Sequence, residues 1–181
     1  MQIDELMPIF DLRIGHERVI AATPAQVYSA ASTMTIRKLR RVRILLYIRE
    51  IFSRLKKQPL ETFPVIAEDP GREIVMAICG KFWAISGNIL DVPVEEIKLF
   101  NRPGYAKAYW NFYLEPMDKG QTRLTTETRV QVYGEAERKK FVLYWRIVGP
   151  FSGWIRNQIL KAIEREALLI PTTSTRASGL H

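Results

Sequence analysis

Cysteine and histidine are scarce in this chain of 181 residues. The lone cysteine, Cys79, excludes an internal disulfide and a zinc site built from several cysteines. The two histidines, His16 and His181, are too few for a histidine-rich metal site. We therefore expect neither a metal ion nor any other cofactor.

Long apolar runs are absent as well. A membrane-spanning helix needs about 20 mostly apolar residues, and one of the longest runs here covers only residues 44–48. The start of the chain contains Asp4, Glu5 and Asp11, which is the wrong charge for a secretory signal, and no apolar segment follows. These absences predict a cytoplasmic protein.

The composition is that of an ordinary globular protein. Hydrophobic residues make up 47% and charged residues 25% of the chain, and its length corresponds to about one domain. We expect a single domain over residues 1–170 and a flexible polar tail over residues 171–181.

The net charge of +8 is concentrated in one segment. Residues 36–57 contain nine basic residues and one acidic residue, so the two signs balance in the rest of the chain. Apolar residues recur there every three or four positions, which predicts an amphipathic basic helix over residues 35–57. Its role has three interpretations. The helix packs on a sheet with a solvated basic rim, binds nucleic acid, or docks on an anionic membrane through Arg37, Lys38, Arg40, Arg41 and Arg43. Nucleic acid is disfavoured, because the aromatic residues lie elsewhere and no recognition motif accompanies the charge.

Helices are also predicted before and after the basic segment. A strand is predicted over residues 12–22, and Thr23-Pro24 begins a short helix, with Gln26 placed to complete a capping box. A second helical pattern runs from Glu135 to about Leu169, and Gly149-Pro150 predicts a bend or a break in it.

The remaining segments predict strands and turns. Strands are predicted over residues 62–68, 72–79 and 81–85, with a turn at residues 69–71. A loop or crossover follows over residues 86–96, and then a short strand over residues 97–100. Residues 105–114 and 122–133 alternate in polarity about Asp118-Lys119-Gly120, which predicts a β-hairpin.

This order of elements is similar to one known superfamily. Residues 17–28 resemble its first strand running into its first helix. A bacterial branch of largely uncharacterised members is resembled by residues 80–83, 104–108, 122–130, 144–145 and 150–156. The superfamily is the START-related or SRPBCC group, which includes the birch pollen allergen family. The resemblance implies an α+β helix-grip fold, in which a curved antiparallel β-sheet wraps around a long C-terminal α-helix, with short helices after the first strand.

The resemblance also implies an apolar cavity between sheet and helix that holds a small hydrophobic or lipid-like molecule. Pockets of this kind are mostly apolar, with a few placed polar groups. The residues expected to bind the ligand are aromatic side chains and two threonines: Trp83, Tyr109, Trp110, Phe112, Thr126, Thr128 and Trp145. The same aromatic residues are equally compatible with an ordinary core.

Catalytic motifs are missing. The sequence has no phosphate-binding glycine loop and no serine–histidine triad. His16 is a candidate acid or base, and Glu127 and Arg129 share one strand face, which is either a solvated outer face or the polar end of the cavity.

The leading functional hypothesis is therefore a carrier or sensor of a small hydrophobic molecule with no catalytic residue. One alternative is a cyclase- or hydratase-like enzyme, of the polyketide cyclase/dehydratase kind, that uses His16, Glu127 or Tyr109 in the same cavity. The other is an adaptor for membrane or nucleic-acid surfaces that acts through residues 36–57.

Overall fold

The computed structural model describes residues 1–33, 63–84 and 88–171. The described helices are α1 (Gln2–Leu6), α2 (Pro24–Ser32), α3 (Val94–Ile97) and α4 (Glu135–Leu169). The described strands are β1 (Leu12–Ile20), β2 (Val65–Asp69), β3 (Glu73–Lys81), β4 (Asn88–Leu90), β5 (Ala106–Met117) and β6 (Gln121–Val132). The basic segment with Arg37, Lys38, Arg40, Arg41 and Arg43, and the tail beyond Pro171, lie outside the described residues.

The described strands form one curved antiparallel sheet. Their order across the sheet is β1-β6-β5-β3-β2, and β4 pairs with β3 beside β2. The predicted hairpin is confirmed, since β5 and β6 pair directly across the turn at Asp118–Gly120. Lys119 and Gly120 both have positive φ in this turn, at 60° and 69°, which is the conformation that glycine adopts without strain.

The start of α2 is the predicted capping box. The Thr23 hydroxyl accepts a hydrogen bond from the Gln26 backbone, and the Gln26 side chain accepts one from the Thr23 backbone. Together these bonds satisfy two backbone groups that a bare helix end would leave without partners. The cap fixes the point at which the chain leaves β1 and places Ala30 and Ala31 of α2 against Ile163 of α4.

Three short segments differ from their predicted structure. The described part of the loop or crossover predicted over residues 86–96 contains β4 and the first three residues of α3. Residues 82–84 form a turn closed by a hydrogen bond from the Ala84 backbone to Lys81, so the predicted strand over residues 81–85 is wrong for its described part. The predicted strand over residues 97–100 is also wrong, because Ile97 ends α3 and a turn follows. Glu95 and Glu96 lie in the first turn of α3, where acidic side chains favour a helix start.

Proline does not break α4. The helix is continuous from Glu135 to Leu169 with Pro150 inside it, so the predicted break is absent. A proline costs a helix one backbone hydrogen bond, and apolar contacts on both sides of it hold this helix in place. Phe141 is buried on the N-terminal side of Pro150, and Ile159 and Ile163 are buried on the C-terminal side.

Both faces of the sheet are covered. The concave face carries the even-numbered residues of β5 and β6, and it packs against α2 and α4 through Phe112, Leu114 and Leu124. The convex face carries the odd-numbered residues, and it packs against α1 and α3 through Ile3, Ile97 and Tyr109. The sequence analysis did not predict α1. The region between the concave face and α4 is called the sheet–helix interior below.

Candidate functional site

A strip of polar side chains crosses the sheet–helix interior. His16 of β1 lies opposite Thr126 of β6, and Thr128 of β6 lies opposite Trp110 of β5. Strand alternation places all four on the concave face. Arg156 approaches from α4, and its guanidinium carbon lies 5.5 Å from the centroid of the Trp110 ring.

Trp110 is held in place on several sides. Its Nε1 donates a hydrogen bond of 2.6 Å to the Thr126 hydroxyl, which in turn donates to the backbone oxygen of Asn111 at 2.8 Å. The rings of Phe63 and Phe112 meet the indole edge-to-face, with centroids 5.5 Å and 5.2 Å away. Trp110 therefore presents a fixed aromatic surface with its one polar atom already satisfied.

Four buried polar atoms in this strip have no hydrogen-bond partner within the described part of the chain. They are Nδ1 of His16, Oγ1 of Thr128, and Nε and Nη1 of Arg156. A buried donor or acceptor without a partner costs about 1–3 kcal/mol, and more when it is charged. Such atoms are rare in folded proteins, so their clustering at one place requires an explanation.

The strip carries a positive charge. Burial lowers the pKa of the Arg156 guanidinium to about 10, which leaves it protonated at neutral pH. Burial and, secondly, the charge of Arg156 lower the pKa of His16 below its usual 6.5. At neutral pH the strip thus pairs a cationic arginine with a neutral imidazole.

A second aromatic group lies farther along the same face. The Phe141 ring is 5.9 Å from those of both Trp83 and Trp145, and the three pack on Val130 and Val132. Of the seven predicted ligand-binding residues, the structure brings Trp110, Phe112, Thr126 and Thr128 together and places Trp83 and Trp145 in this separate cluster.

Tyr109 lies apart from all of them. Its side chain is fully buried on the convex face, with Ile3, Met7 and Ile97 as neighbours in the same cluster. It does not line the sheet–helix interior, because adjacent residues of a strand point to opposite faces.

Glu127 and Arg129 also lie on the convex face, as one of the two interpretations held, but they are not solvated. Arg129 donates to Glu127 at 2.5 Å and to the Met7 backbone oxygen at 2.9 Å, and it pairs with Asp4 of α1. The N-terminal segment covers this pair, so both residues are buried. The pair links α1 to the sheet, and it does not form the polar end of a cavity.

The sequence analysis did not single out Arg156. A signal was available, because Arg156 precedes Ile159, Leu160 and Ile163 by three, four and seven positions. Those are the intervals of one helical face, and all three residues are buried. A charged residue in an apolar stripe is a candidate for function.

A separate open pocket of about 380 Å³ lies near the start of α4. Asp11, Tyr133 and Arg138 are among its lining residues, and Arg138 pairs with Asp11 at 2.6 Å. It contains none of the predicted ligand-binding residues.

Within residues 1–33, 63–84 and 88–171, no cluster of three or more potential metal ligands occurs, and no helix is both long and apolar enough to span a membrane.

The topology decides the architecture: an antiparallel sheet holds one long C-terminal helix against its concave face, and a short helix follows the first strand. The chain has the helix-grip fold. No protein-family model and no curated protein matches the sequence.

Several solved structures are similar at low identity. A conserved protein from Geobacillus kaustophilus is 14% identical, with 87% of this chain and 95% of that chain covered and a TM-score of 0.48. A truncated norcoclaurine synthase from Thalictrum flavum is 12% identical, with coverages of 88% and 95% and a TM-score of 0.44. An aromatase/cyclase from a Streptomyces species is 13% identical, with coverages of 87% and 93% and a TM-score of 0.35. The topology of the described strands and of α4 confirms the predicted helix-grip fold, and these similarities add no further argument.

Proposed function

We propose that the protein binds a small, mostly apolar molecule in the sheet–helix interior. The observation that carries this proposal is the set of unpartnered polar atoms on His16, Thr128 and Arg156. Atoms of this kind are compensated when a bound molecule supplies the missing hydrogen bonds. The aromatic surfaces of Trp110 and Phe112 beside them suit an apolar body, since ligand sites combine apolar walls with a few polar anchors.

Six of the seven predicted ligand residues have a part in this proposal. Trp110 and Phe112 supply the apolar wall, and Thr126 orients the indole of Trp110. Thr128 offers a free hydroxyl. Trp83 and Trp145, which belong to the second aromatic cluster, extend the apolar wall along the same face. Tyr109 has no part, because it lies on the convex face.

A binding role is favoured over catalysis by the placement of the acid–base candidates. Glu127 and Tyr109 lie on the convex face, and His16 alone of the three lies on the concave face. The cyclase- or hydratase-like alternative is therefore restricted to His16 as its acid or base. The adaptor alternative rests on residues 36–57 and stays a prediction.

Native mass spectrometry of the freshly purified protein, with organic extraction alongside, tests for a resident ligand. Titration with the neutral dye Nile red then tests the location of the site. We expect Trp110→Ala to weaken dye binding, because it removes the central aromatic wall. Trp154→Ala is the matched control, since Trp154 is 42% exposed on α4.

Two results would contradict these expectations. Equal dye affinity in Trp110→Ala and the wild type would remove Trp110 from the site. Absence of both dye binding and extractable ligand would contradict the proposed function.

A further inference from the structure

We infer that the ligand carries a carboxylate, and that Arg156 binds this acid group over the face of Trp110 with Thr128 as a second donor. The inference rests on the proposed function and specifies the chemical class of its ligand: an apolar molecule with one acidic end.

Arginine sets the sign of the missing partner. A guanidinium has five N–H donors and no acceptor, so only an acceptor can satisfy it. Two of the three nitrogens of Arg156, Nε and Nη1, are buried without one. A carboxylate supplies two acceptor oxygens and the opposite charge, and its planar geometry matches the guanidinium.

Among the described residues, a carboxylate farther along α4 and one on β6 both have other partners. Glu164 lies two turns farther along α4 and pairs with Arg18 of β1 at 2.7 Å. Glu127 belongs to β6 but lies on the convex face, where it accepts hydrogen bonds from Arg13 and Arg129. Desolvation is the one cause of the lowered pKa of Arg156, and no carboxylate of the described residues offsets it.

The surroundings of Arg156 favour an amphipathic acid over a free inorganic anion. The guanidinium lies over the Trp110 ring, and the Phe63 and Phe112 rings adjoin that indole. A cation at 5.5 Å from an aromatic centroid is attracted to the ring face, which restricts its position. The cation and the apolar wall therefore adjoin each other, as a molecule with an acidic head and an apolar body requires.

Thr128 and His16 complete the donor set. The Thr128 hydroxyl is buried, lies on the Trp110 side of β6 and has an O–H free to donate. The imidazole of His16 is neutral beside Arg156, and a neutral imidazole offers one N–H as well as one acceptor. Neither Thr128 nor His16 carries a negative charge, so neither repels a ligand carboxylate.

Matched pairs of acids and alcohols test the charge requirement directly. Decanoic acid and decanol form an aliphatic pair, and naphthoic acid and naphthalenemethanol form an aromatic pair. Each is titrated against bound Nile red at neutral pH. In at least one pair we expect the acid to bind more tightly than its alcohol. Arg156→Met should weaken the acid roughly 10- to 100-fold, the range for hydrogen bonds to charged groups, and leave the alcohol unchanged.

Arg165→Met is the control for charge removal at a neighbouring position. Arg165 is exposed on α4, so its loss changes the net charge of the protein equally without altering the sheet–helix interior. We expect it to leave acid affinity within about twofold of the wild type, because exposed charges act weakly through water.

Stability separates a ligand-binding arginine from a structural one. Without ligand, Arg156→Met should unfold at a higher temperature than the wild type, because replacing an unpaired buried charge with an apolar side chain relieves its desolvation. A lower unfolding temperature would indicate a structural arginine and overturn the inference.

The remaining outcomes distinguish the inference from the proposed function. If acids and alcohols bind the wild type equally, or if Arg156→Met weakens both alike, the carboxylate inference is overturned and hydrophobic binding stands. If Nile red and all four compounds fail to bind, the proposed function fails, and the inference fails with it.

Discussion

Gly153 of α4 lies directly against the imidazole of His16 on β1. A Cβ atom at position 153 would lie 3.3 Å from His16 Nε2 and 3.6 Å from Cε1, which is a tight contact for a methyl group. The glycine thus allows the long helix to approach the one internal histidine and helps to place that ring in the polar strip.

Gly153→Ala should stabilise the protein less than a helix substitution normally does. Alanine favours a helix over glycine by about 1 kcal/mol, but here its methyl group must displace the imidazole. In a His16→Ala background the full gain should return. Chemical denaturation of the four proteins in this double-mutant cycle measures the coupling. Equal gains in both backgrounds would show that the two residues do not restrict each other.

His16 should make stability depend on pH in one direction. Its pKa in the folded protein is lowered by burial and by Arg156, so the unfolded chain binds the proton more readily. The unfolding free energy should therefore fall as the pH drops below about 6.5 and level off below the folded pKa.

The two histidines of the chain supply the test and its control. Thermal unfolding between about pH 7.5 and pH 5.5, where histidine titrates, should show this loss in the wild type and in His181→Gln. The loss should be much smaller in His16→Gln. A pH dependence that survives in His16→Gln would assign it to other groups.

Removal of one partner from the ion pair under α1 should strongly destabilise the protein. Arg129 and Glu127 are 4% and 2% exposed, and Arg129→Met would leave two carboxylates of its network, on Glu127 and Asp4, without this cation. Removal of one partner from a buried pair costs about 3–5 kcal/mol. We expect the lower part of that range, because Glu127 retains Arg13 at 2.9 Å.

Arg123→Met is the comparison for this prediction. Arg123 pairs with Glu115 at 2.8 Å on the same hairpin, but both side chains are exposed. Urea denaturation should show a loss below about 1 kcal/mol, as for exposed pairs in general. Similar losses for the two variants would mean that the cover by α1 does not strengthen the buried pair.

Cys79 should be unreactive in the folded protein. Its side chain is 1% exposed, and burial raises the pKa of its thiol to about 11, so little thiolate is available at neutral pH. A thiol-labelling reagent should react at a rate set by unfolding and react quickly in denaturant. Fast labelling under native conditions would show that α3 and the convex face open locally.

Sequence reasoning succeeded where structure is decided by nearby residues. The capping box at Thr23 and Gln26 involves groups three positions apart, and the β5–β6 hairpin depends on a turn whose residues adjoin both strands. Such features follow from local chemistry and strand alternation. The same reasoning missed α1 and misassigned residues 97–100, because short segments carry too few repeats of either period to identify a helix or a strand.

The candidate site likewise combines features that follow from nearby residues with features that depend on distant contacts. Alternation groups Trp110 with Phe112 on β5, and it separates Thr126 and Thr128 from Glu127 and Arg129 on β6, as in the structure. It left open which face of β6 meets α4. It could not show that the second face is also covered, because that depends on α1, which is more than 100 residues away from Arg129 in the chain. The same alternation places Tyr109 on the face opposite to Trp110, so its inclusion among the ligand-binding residues was wrong.

The order of the main strands and helices, their alternation and the scarcity of cysteine and histidine can all be read from the sequence, because they depend on composition and on nearby residues. Which polar atoms lose water without gaining a partner depends instead on how distant segments pack. Arg156 reads as one basic residue among 27 lysines and arginines in the sequence. Its guanidinium is distinctive because folding places it between α4 and Trp110, where solvent is excluded and burial lowers its pKa. Desolvation depends on everything that surrounds a group in space. The strip around Arg156 is built from β1, the β5–β6 hairpin and α4, which are far apart in the chain.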